Sequence, residues 1–360
     1  MKRILSLALL GALALAPSLV RAQTYVLTDL GAGLNGATIA VDISPNGHIT
    51  GAGPGGASGS ACTWTPNGAI MKFQSLGIPG GAKYSNGWGV NDSGQVAGTA
   101  GSGLSWENGY LWSSGVWADM TNKNTQSEAL AVNTSGTLVG GTASNAAFWK
   151  GGKLYTIPNA GLPAIGINDS GQIVGAGCFL WTPNVPNGTT GTTVHLGSSY
   201  GDALGISSVG DVAGYLGVKD ATGRSKNQAF IWSQATQAIT YLGTLQPDPS
   251  HPGYFLGASF ARKVNAYGLV VGTSDTAGGV THGFLWDSVN GLRDLNDTSK
   301  VTIFGIPAGQ TWVFTCPNAS TWWARNLPQI SINDNGQICG TATVTINGVT
   351  TSHAFLLTPQ

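Results

Sequence analysis

Charged side chains are scarce in this chain of 360 residues: Asp, Glu, Lys and Arg together make up 9%, and 16 basic residues balance 16 acidic ones. A formal net charge of zero offers no basic field that would attract nucleic acid or anionic lipid. We therefore expect no nucleic-acid partner. The low charge does not indicate disorder, because 42% of the residues are hydrophobic and they recur in regular patterns.

Long apolar runs are absent after the first residues of the chain, so we expect no membrane insertion. Lys2 and Arg3 precede an apolar stretch over residues 4–16, and small residues follow at positions 20–22. This pattern is typical of a signal peptide. We expect residues 1–22 to be removed and residues 23–360 to form one exported domain, periplasmic or extracellular.

Cysteine is also rare, with Cys62, Cys178, Cys316 and Cys339 all in the mature part of the chain. An exported protein can form disulfides. Cys316 and Cys339 bracket the last long segment between repeats and are the predicted pair, whereas the other two are expected to be buried thiols. No Cys or His spacing is typical of a metal site, and we expect no metal or other cofactor.

Against these absences, one short turn phrase recurs seven times. In this phrase, an aliphatic residue is followed by Asn or Ser, by two turn residues and by Gly. A second Gly, which we call the closing Gly, ends the phrase a few residues later. The Asn or Ser positions are Ser44, Asn91, Asn133, Asn168, Ser207, Asn265 and Asn333. Asn at the first turn position and Gly at the fourth favour a type I turn with a left-handed Gly between two strands.

A second, aromatic phrase follows each turn phrase, as in Phe179-Leu180-Trp181. It predicts a third strand, and a short alternating run after it predicts a fourth. Trp recurs at one place in the phrase, and we expect it to pack between neighbouring units. These Trp residues are Trp64, Trp112, Trp149, Trp181, Trp232 and Trp286. Four antiparallel strands per unit are typical of a propeller blade.

The two ends of the chain predict how the ring closes. The last unit ends without a fourth strand, and Tyr25 to Leu30 match that strand. The predicted fold is all-β: a seven-bladed β-propeller of four-stranded antiparallel blades, closed by the mature N-terminal strand. A β-solenoid is the alternative, but it predicts nearly constant spacing, and the turn glycines are 35 to 68 residues apart.

The phrases His353-Ala354-Phe355 and Ile167-Asn168-Asp169-Ser170-Gly171 resemble those of the HAF extracellular repeat proteins of bacteria. The resemblance covers essentially the whole mature chain. It implies an exported, β-propeller-like protein without an established general activity, and it supplies no catalytic residues.

Acidic residues follow the Asn of three turn phrases, at Asp92, Asp169 and Asp334. A ring of carboxylates could bind Ca²⁺. We favour a structural role in which the side chains cap their turns, since the other copies have Pro45, Thr134, Ser208 or Ala266 instead.

Two charged residues interrupt a position of the first strand that is small in the other copies. They are Asp42 and Lys263. The first strand lines the channel of a propeller, so both charges are expected to face it and approach each other. A structural ion pair is the favoured interpretation, and a small-ligand site in the channel is the alternative.

The longest segments between repeats are expected to gather on one face, where binding sites often lie. One is an insertion at about residues 296–330. The candidate ligand-binding residues are Tyr254, Trp312, Trp322, Trp323 and Arg325, which could stack on and hydrogen-bond a glycan. The alternative is a small core that covers one end of the ring, held through Cys316.

These observations favour a non-catalytic module that binds a glycan or a surface protein. No nucleophile motif or phosphate loop is present. A polysaccharide-cleaving enzyme that uses two of Asp42, Glu107, Glu128 and Asp297 is one alternative. A structural component of the envelope or matrix is another.

Overall fold

A computed structural model describes residues 24–31, 34, 36–54, 59–102, 107–120, 126–197, 200–320 and 325–360. The predicted signal peptide lies outside these residues. The strands form seven blades, which confirms the predicted propeller and excludes the solenoid.

Blades 1 to 6 are four-stranded sheets with neighbouring strands in sequence order. After the N-terminal strand β1 (Thr24–Asp29), the strands of blades 1 to 3 are β2 (Ile39–Ile43), β3 (Ile49–Ala52), β4 (Ala61–Asn67), β5 (Ile70–Gly77), β6 (Tyr84–Val90), β7 (Val96–Gly101), β8 (Glu107–Ser113), β9 (Val116–Asp119), β10 (Ser127–Val132), β11 (Leu138–Thr142), β12 (Ala146–Lys150) and β13 (Lys153–Thr156). Those of blades 4 to 6 are β14 (Ala164–Ile167), β15 (Ile173–Gly175), β16 (Phe179–Pro183), β17 (Gly191–His195), β18 (Gly201–Ile206), β19 (Val212–Lys219), β20 (Ser225–Trp232), β21 (Ile239–Gly243), β22 (Ser259–Val264), β23 (Val270–Asp275), β24 (Thr281–Asp287) and β25 (Gly291–Asp294).

Blade 7 joins the two ends of the chain. The last strands are β26 (Thr302–Phe304), β27 (Gln310–Val313), β28 (Asn318–Ser320), β29 (Arg325–Pro328), β30 (Ile330–Ile332), β31 (Ile338–Ile346) and β32 (Val349–Pro359). Strands β30, β31 and β32 form the first three positions of the blade, and β1 pairs antiparallel with β32 as the fourth. The predicted closure by the N-terminal strand is confirmed.

The insertion before blade 7 is not a simple loop. Strand β26 pairs in parallel with β1 and covers its outer edge, whereas β27 pairs with the distal half of β31. Strands β28 and β29 pair with each other. The insertion therefore extends blade 7 on both sides.

A β-bulge in the first strand of blades 1 to 6 explains the closing Gly of the turn phrase. A Cβ on Gly51 would lie 1.9 Å from the Ile39 carbonyl oxygen, and one on Gly214 would lie 2.2 Å from that of Asp202. The Phe of the aromatic phrase packs over the same glycine, as Phe230 does over Gly214. The two phrases are thus linked because their residues face each other across one sheet.

The core lies between the blades, as expected for the repeated Trp residues. Trp181 packs on Phe148 of the preceding blade with ring centroids 5.3 Å apart. Trp64 is buried and donates from Nε1 to the carbonyl oxygen of Leu30, just after the closing strand. The predicted packing of Trp between units is confirmed.

No helix in the described ranges is long and apolar enough to cross a membrane.

Candidate functional site

The central channel has two different ends, which we call the turn face and the loop face. The turn face carries the seven turn phrases, and their glycines adopt positive φ angles, such as 71° at Gly94. The loop face carries the connections between second and third strands and between successive blades. The contrast between these ends decides where a ligand could bind.

The Asn residues of the turn phrases join neighbouring blades at the turn face. Asn91 Oδ1 accepts from the backbone N–H groups of Ser93 and Gln95 at 3.1 and 3.0 Å, which caps its own turn. Its Nδ2 donates to Asn133 O in the next blade at 2.9 Å. We call the residues that repeat this arrangement the amide ring: Asn91, Asn133, Asn168, Asn265 and Asn333.

The turn aspartates bond to the preceding blade, whereas the Asn amides donate to the next one. Asp92 accepts from Asn46 N at 2.8 Å, Asp169 from Thr134 N at 2.9 Å and Asp334 from Ala266 N at 2.8 Å, each in the preceding blade. The expected structural role holds, but the carboxylates cap a neighbouring turn rather than their own. No group of His, Cys, Asp or Glu suited to a metal ion occurs among the described residues.

Beneath the turn face, the structure brings Asp42 and Lys263 together. Lys263 Nζ lies 3.4 Å from Asp42 Oδ1, which also accepts from Ser331 Oγ at 2.8 Å. Asp42 Oδ2 accepts from Val90 N at 3.3 Å. Both charges line a cavity of about 100 Å³. This volume is large enough for only a few water molecules and is well below the roughly 300–1,000 Å³ of a ligand pocket.

Above this cavity, the bulged residues of the first strands close the channel. Those of blades 1 to 5 are Val41, Trp88, Leu130, Ile165 and Leu204, which form one buried apolar cluster together with Tyr215. We call these five residues the channel plug. The residue at the bulge of blade 6 is Arg262. The plug therefore separates the turn-face cavity from the loop-face end of the channel.

Buried polar residues lie on the loop-face side of the plug, and the sequence interpretation missed most of them. Asn86, Glu128 and Asp202 share the same register position in their first strands, ahead of the bulge. Gln329 takes the equivalent place in blade 7. Asp202 accepts from the Tyr215 hydroxyl at 2.5 Å and from Gly177 N at 2.9 Å. Burial, together with this hydrogen bond, raises the pKa of Tyr215. In the bulged blades, this position lies five residues before the Asn or Ser of the turn phrase. That constant spacing could have revealed the buried polar residues from the sequence.

The carboxylates considered for polysaccharide cleavage lie at different places. Asp42 lies beneath the plug and Glu128 above it. Glu107 begins β8. Asp297 caps the turn after β25 by accepting from Ser299 N at 3.1 Å.

Trp312 is not available for stacking on a ligand, contrary to the prediction. Its side chain is 8% exposed and packs edge-on against His353 at 5.8 Å between ring centroids. It belongs to the cluster between blades 6 and 7, together with Phe314 and Cys316. This part of the insertion therefore packs into the core between two blades, and Cys316 lies in that core as a free thiol. Trp322 and Trp323 lie outside the described residues, and the backbone of Arg325 begins β29.

Tyr254 lies on the loop between blades 5 and 6, and its side chain is 42% exposed. The loop has internal structure: Pro247 bridges to Phe255, and Asp248 N donates to Tyr254 O at 2.9 Å. His251 Nδ1 lies 2.8 Å from Asp248 Oδ2, and its ring stands edge-on to Tyr254 at 6.5 Å. The hydrogen bond from His251 lowers the pKa of the Asp248 carboxyl.

The predicted disulfide is absent, because all four cysteines are free and buried. Cys316 packs in the cluster between blades 6 and 7, and Cys339 packs in the cluster between blades 7 and 1. The two thiols thus face opposite sides of the same blade. Burial raises the pKa of both.

No protein-family model and no curated protein matches this chain. Among solved structures, it is similar to a gluconolactonase from Xanthomonas campestris, with 12% identity, 93% of this chain and 89% of that chain covered, and a TM-score of 0.40. It is also similar to the β-propeller domain of the Trilobed protease from Pyrococcus furiosus, with 11% identity, 74% and 83% covered, and a TM-score of 0.43. A variant of AofleA from Arthrobotrys oligospora gives 13% identity, 92% and 90% covered, and a TM-score of 0.35.

Proposed function

We propose that this protein is an exported, non-catalytic binding module that engages a glycan through its loop face. The observation that carries the proposal is the exposed ring of Tyr254, held on an internally bonded loop beside the His251–Asp248 pair. An aromatic face that is already fixed in position loses little conformational entropy when it stacks on a sugar ring.

Polar groups beside Tyr254 support a polyhydroxylated ligand. The His251 imidazole and the Asp248 carboxylate offer a donor and an acceptor within the same loop, and sugar hydroxyls both donate and accept. The low charge of the chain favours a neutral glycan over a strongly charged one. A surface protein that docks on the same loop is the alternative ligand.

Membership of the HAF repeat family and export by the N-terminal segment are part of the proposal. They rest on the turn and aromatic phrases and on the signal-peptide pattern of residues 1–22.

The test is binding of the mature chain, residues 23–360, to a glycan array, with Tyr254→Ala as the site variant. The matched control is Tyr241→Ala, a 47% exposed tyrosine on the outer strand of blade 5. We expect Tyr254→Ala to weaken binding about tenfold and Tyr241→Ala to leave it unchanged. Equal binding by both variants, or binding to no glycan, would contradict the proposal.

A Trp322→Ala/Trp323→Ala double variant tests the remaining aromatic candidates in the same assay. If these residues contribute to the loop-face site, the double variant loses affinity while its thermal unfolding is unchanged. Retained affinity would exclude this pair from the site and leave Tyr254 as the aromatic contact.

A further inference from the structure

The first strand of blade 6 places a cation inside the channel. Arg262 is the bulged residue of β22, the position that holds an apolar plug residue in blades 1 to 5. Its side chain is buried, at 5% exposure. An arginine side chain stays protonated even when burial lowers the pKa of its guanidinium, as it does here. The fold therefore holds a permanent positive charge among apolar side chains.

Few groups of the protein compensate this charge. In the described part of the chain, the only side-chain hydrogen bond of Arg262 runs from Nη1 to Leu204 O, at 2.6 Å, and the buried Nε has no partner. Arg262 takes part in no salt bridge among these residues. A buried charge without a counter-ion destabilises the folded state, so an anion at this place would stabilise the fold.

Asp42 is the carboxylate that acts electrostatically on Arg262, and it is already engaged. Its oxygens accept from Lys263, Ser331 and the Val90 amide. Among the described residues, Asp42 forms its salt bridge with Lys263 and none with Arg262.

Blade 7 contributes no plug residue beside Arg262. Its first strand pairs Ile330 with Gly340 and Ser331 with Cys339 in regular register, without the bulge of the other blades. Ile330 accordingly packs between blades 6 and 7 rather than in the plug. The preceding Gln329 is also buried, and its Oε1 has no partner. Because the amide can be turned by 180°, Gln329 can present its Nε2 as a second donor.

We propose that the channel binds one small monovalent anion of the chloride class beside the Arg262 guanidinium, in the sector that blade 7 leaves without a plug residue. The anion would offset the charge of Arg262 and accept from its unpartnered Nε–H group. This site is independent of the loop-face function.

The direct test is a crystal of the wild-type protein grown or soaked in sodium bromide, with data collected at the bromine absorption edge. We expect an anomalous peak within hydrogen-bond distance of the Arg262 guanidinium. A position occupied only by water, with no anomalous signal, would overturn the proposal.

A solution test uses thermal unfolding in sodium chloride against sodium gluconate at equal ionic strength. An anion that binds only the folded state raises the wild-type Tm by about 2 °C for each tenfold increase in chloride above its Kd. Arg262→Met fills the same space without charge, and its Tm should not respond to chloride. Arg224→Met, which removes an exposed cation, should respond like the wild type. A wild-type Tm that is equal in both salts contradicts the site even if Arg262→Met fails to fold.

Discussion

At the scale of single residues, the closing glycine of the turn phrase has a steric cause. The bulge of the first strand turns a carbonyl oxygen toward the second strand, so close that a β-carbon cannot fit. The phenylalanine of the aromatic phrase then covers the same place from the third strand. Gly, bulge and Phe are therefore one packing unit, and a change in one must disturb the other two.

Gly214→Ala tests this unit. A Cβ there would lie 2.2 Å from Asp202 O and 2.9 Å from the Phe230 ring, so we expect the free energy of unfolding to fall by about 2–3 kcal/mol. Gly278→Ala is the control, because its nearest neighbour would be 3.8 Å away. Denaturant unfolding monitored by tryptophan fluorescence measures both. Equal stability of the two variants would show that the close approach is not limiting.

The buried thiols give a prediction on reactivity and pH. Burial, with a smaller effect of Asp202, raises the pKa of Cys178 to about 12, whereas an unfolded cysteine ionises near pH 8.5. The thiol therefore favours the folded state most below pH 8.5, and this contribution is lost as the pH rises toward 12. The free energy of unfolding should decline over that range.

A thiol reagent at pH 8 counts the reactive cysteines in the native and in the denatured protein. We expect no reaction with the native protein, because the thiolate is the reactive form, and four reactive thiols in denaturant. Two reactive thiols in denaturant would instead indicate a disulfide and contradict the placement of Cys316 and Cys339 on opposite sides of blade 7.

At the scale of strands, the sequence predicts the elements that repeat in every blade but not those that occur once. The turn and aromatic phrases predict the four strands of a blade, because their signals are local and occur in several copies. Strand β26 could not be predicted in this way, since it is three residues long and pairs with β1 from the far end of the chain. Trp312 shows the same limit: its exposure depends on the pairing of β27 with β31, which no local pattern encodes.

The closing strand β1 should control the stability of the whole ring. Leu27 of β1 is buried in the cluster between blades 6 and 7. We expect Leu27→Ala to lower the free energy of unfolding by about 2–4 kcal/mol. Val349→Ala, at a position of β32 that is 69% exposed, should change it by less than about 0.5 kcal/mol. Similar effects of both substitutions would show that β1 contributes little to closure.

At the scale of the molecule, the turn face is a nearly continuous ring of hydrogen bonds between blades. The capping role of each Asn follows from its turn alone, but the bond from its Nδ2 to the next blade exists only once the ring has closed. This is why the sequence predicted the turns and not the amide ring. The candidate loop-face site is harder still to predict. The exposure of Tyr254 depends on one irregular loop, which has no counterpart in the other blades.

The ring is interrupted between blades 5 and 6. Ser207 has no amide to donate toward Asn265, and Ala266 has no carboxylate to accept from blade 5. Among the described residues, the polar side-chain links at this junction lie elsewhere: Arg262 Nη1 donates to Leu204 O, and Ala229 N donates to Ser259 Oγ. Among these residues, the turns of blades 5 and 6 lack between them the direct amide and carboxylate bonds of their neighbours, and Ser208 Oγ of blade 5 instead donates to Asp334 Oδ2 of blade 7 at 2.9 Å. We expect amide hydrogen exchange in the first strands to be fastest at this junction.

Ser207→Asn should repair that interruption. The new side chain can cap its own turn as Ser207 Oγ does, at 3.0 Å from Asp211 N, and add a bond to the Asn265 carbonyl. We expect the free energy of unfolding to rise by about 0.5–1.5 kcal/mol. Asn168→Ser is the reciprocal change, because it removes the bond to Ser207 O at 3.1 Å, and it should lower stability by a similar amount. If both variants unfold at the wild-type denaturant concentration, the amide ring accompanies closure without stabilising it, and the apolar clusters between blades alone hold the propeller together.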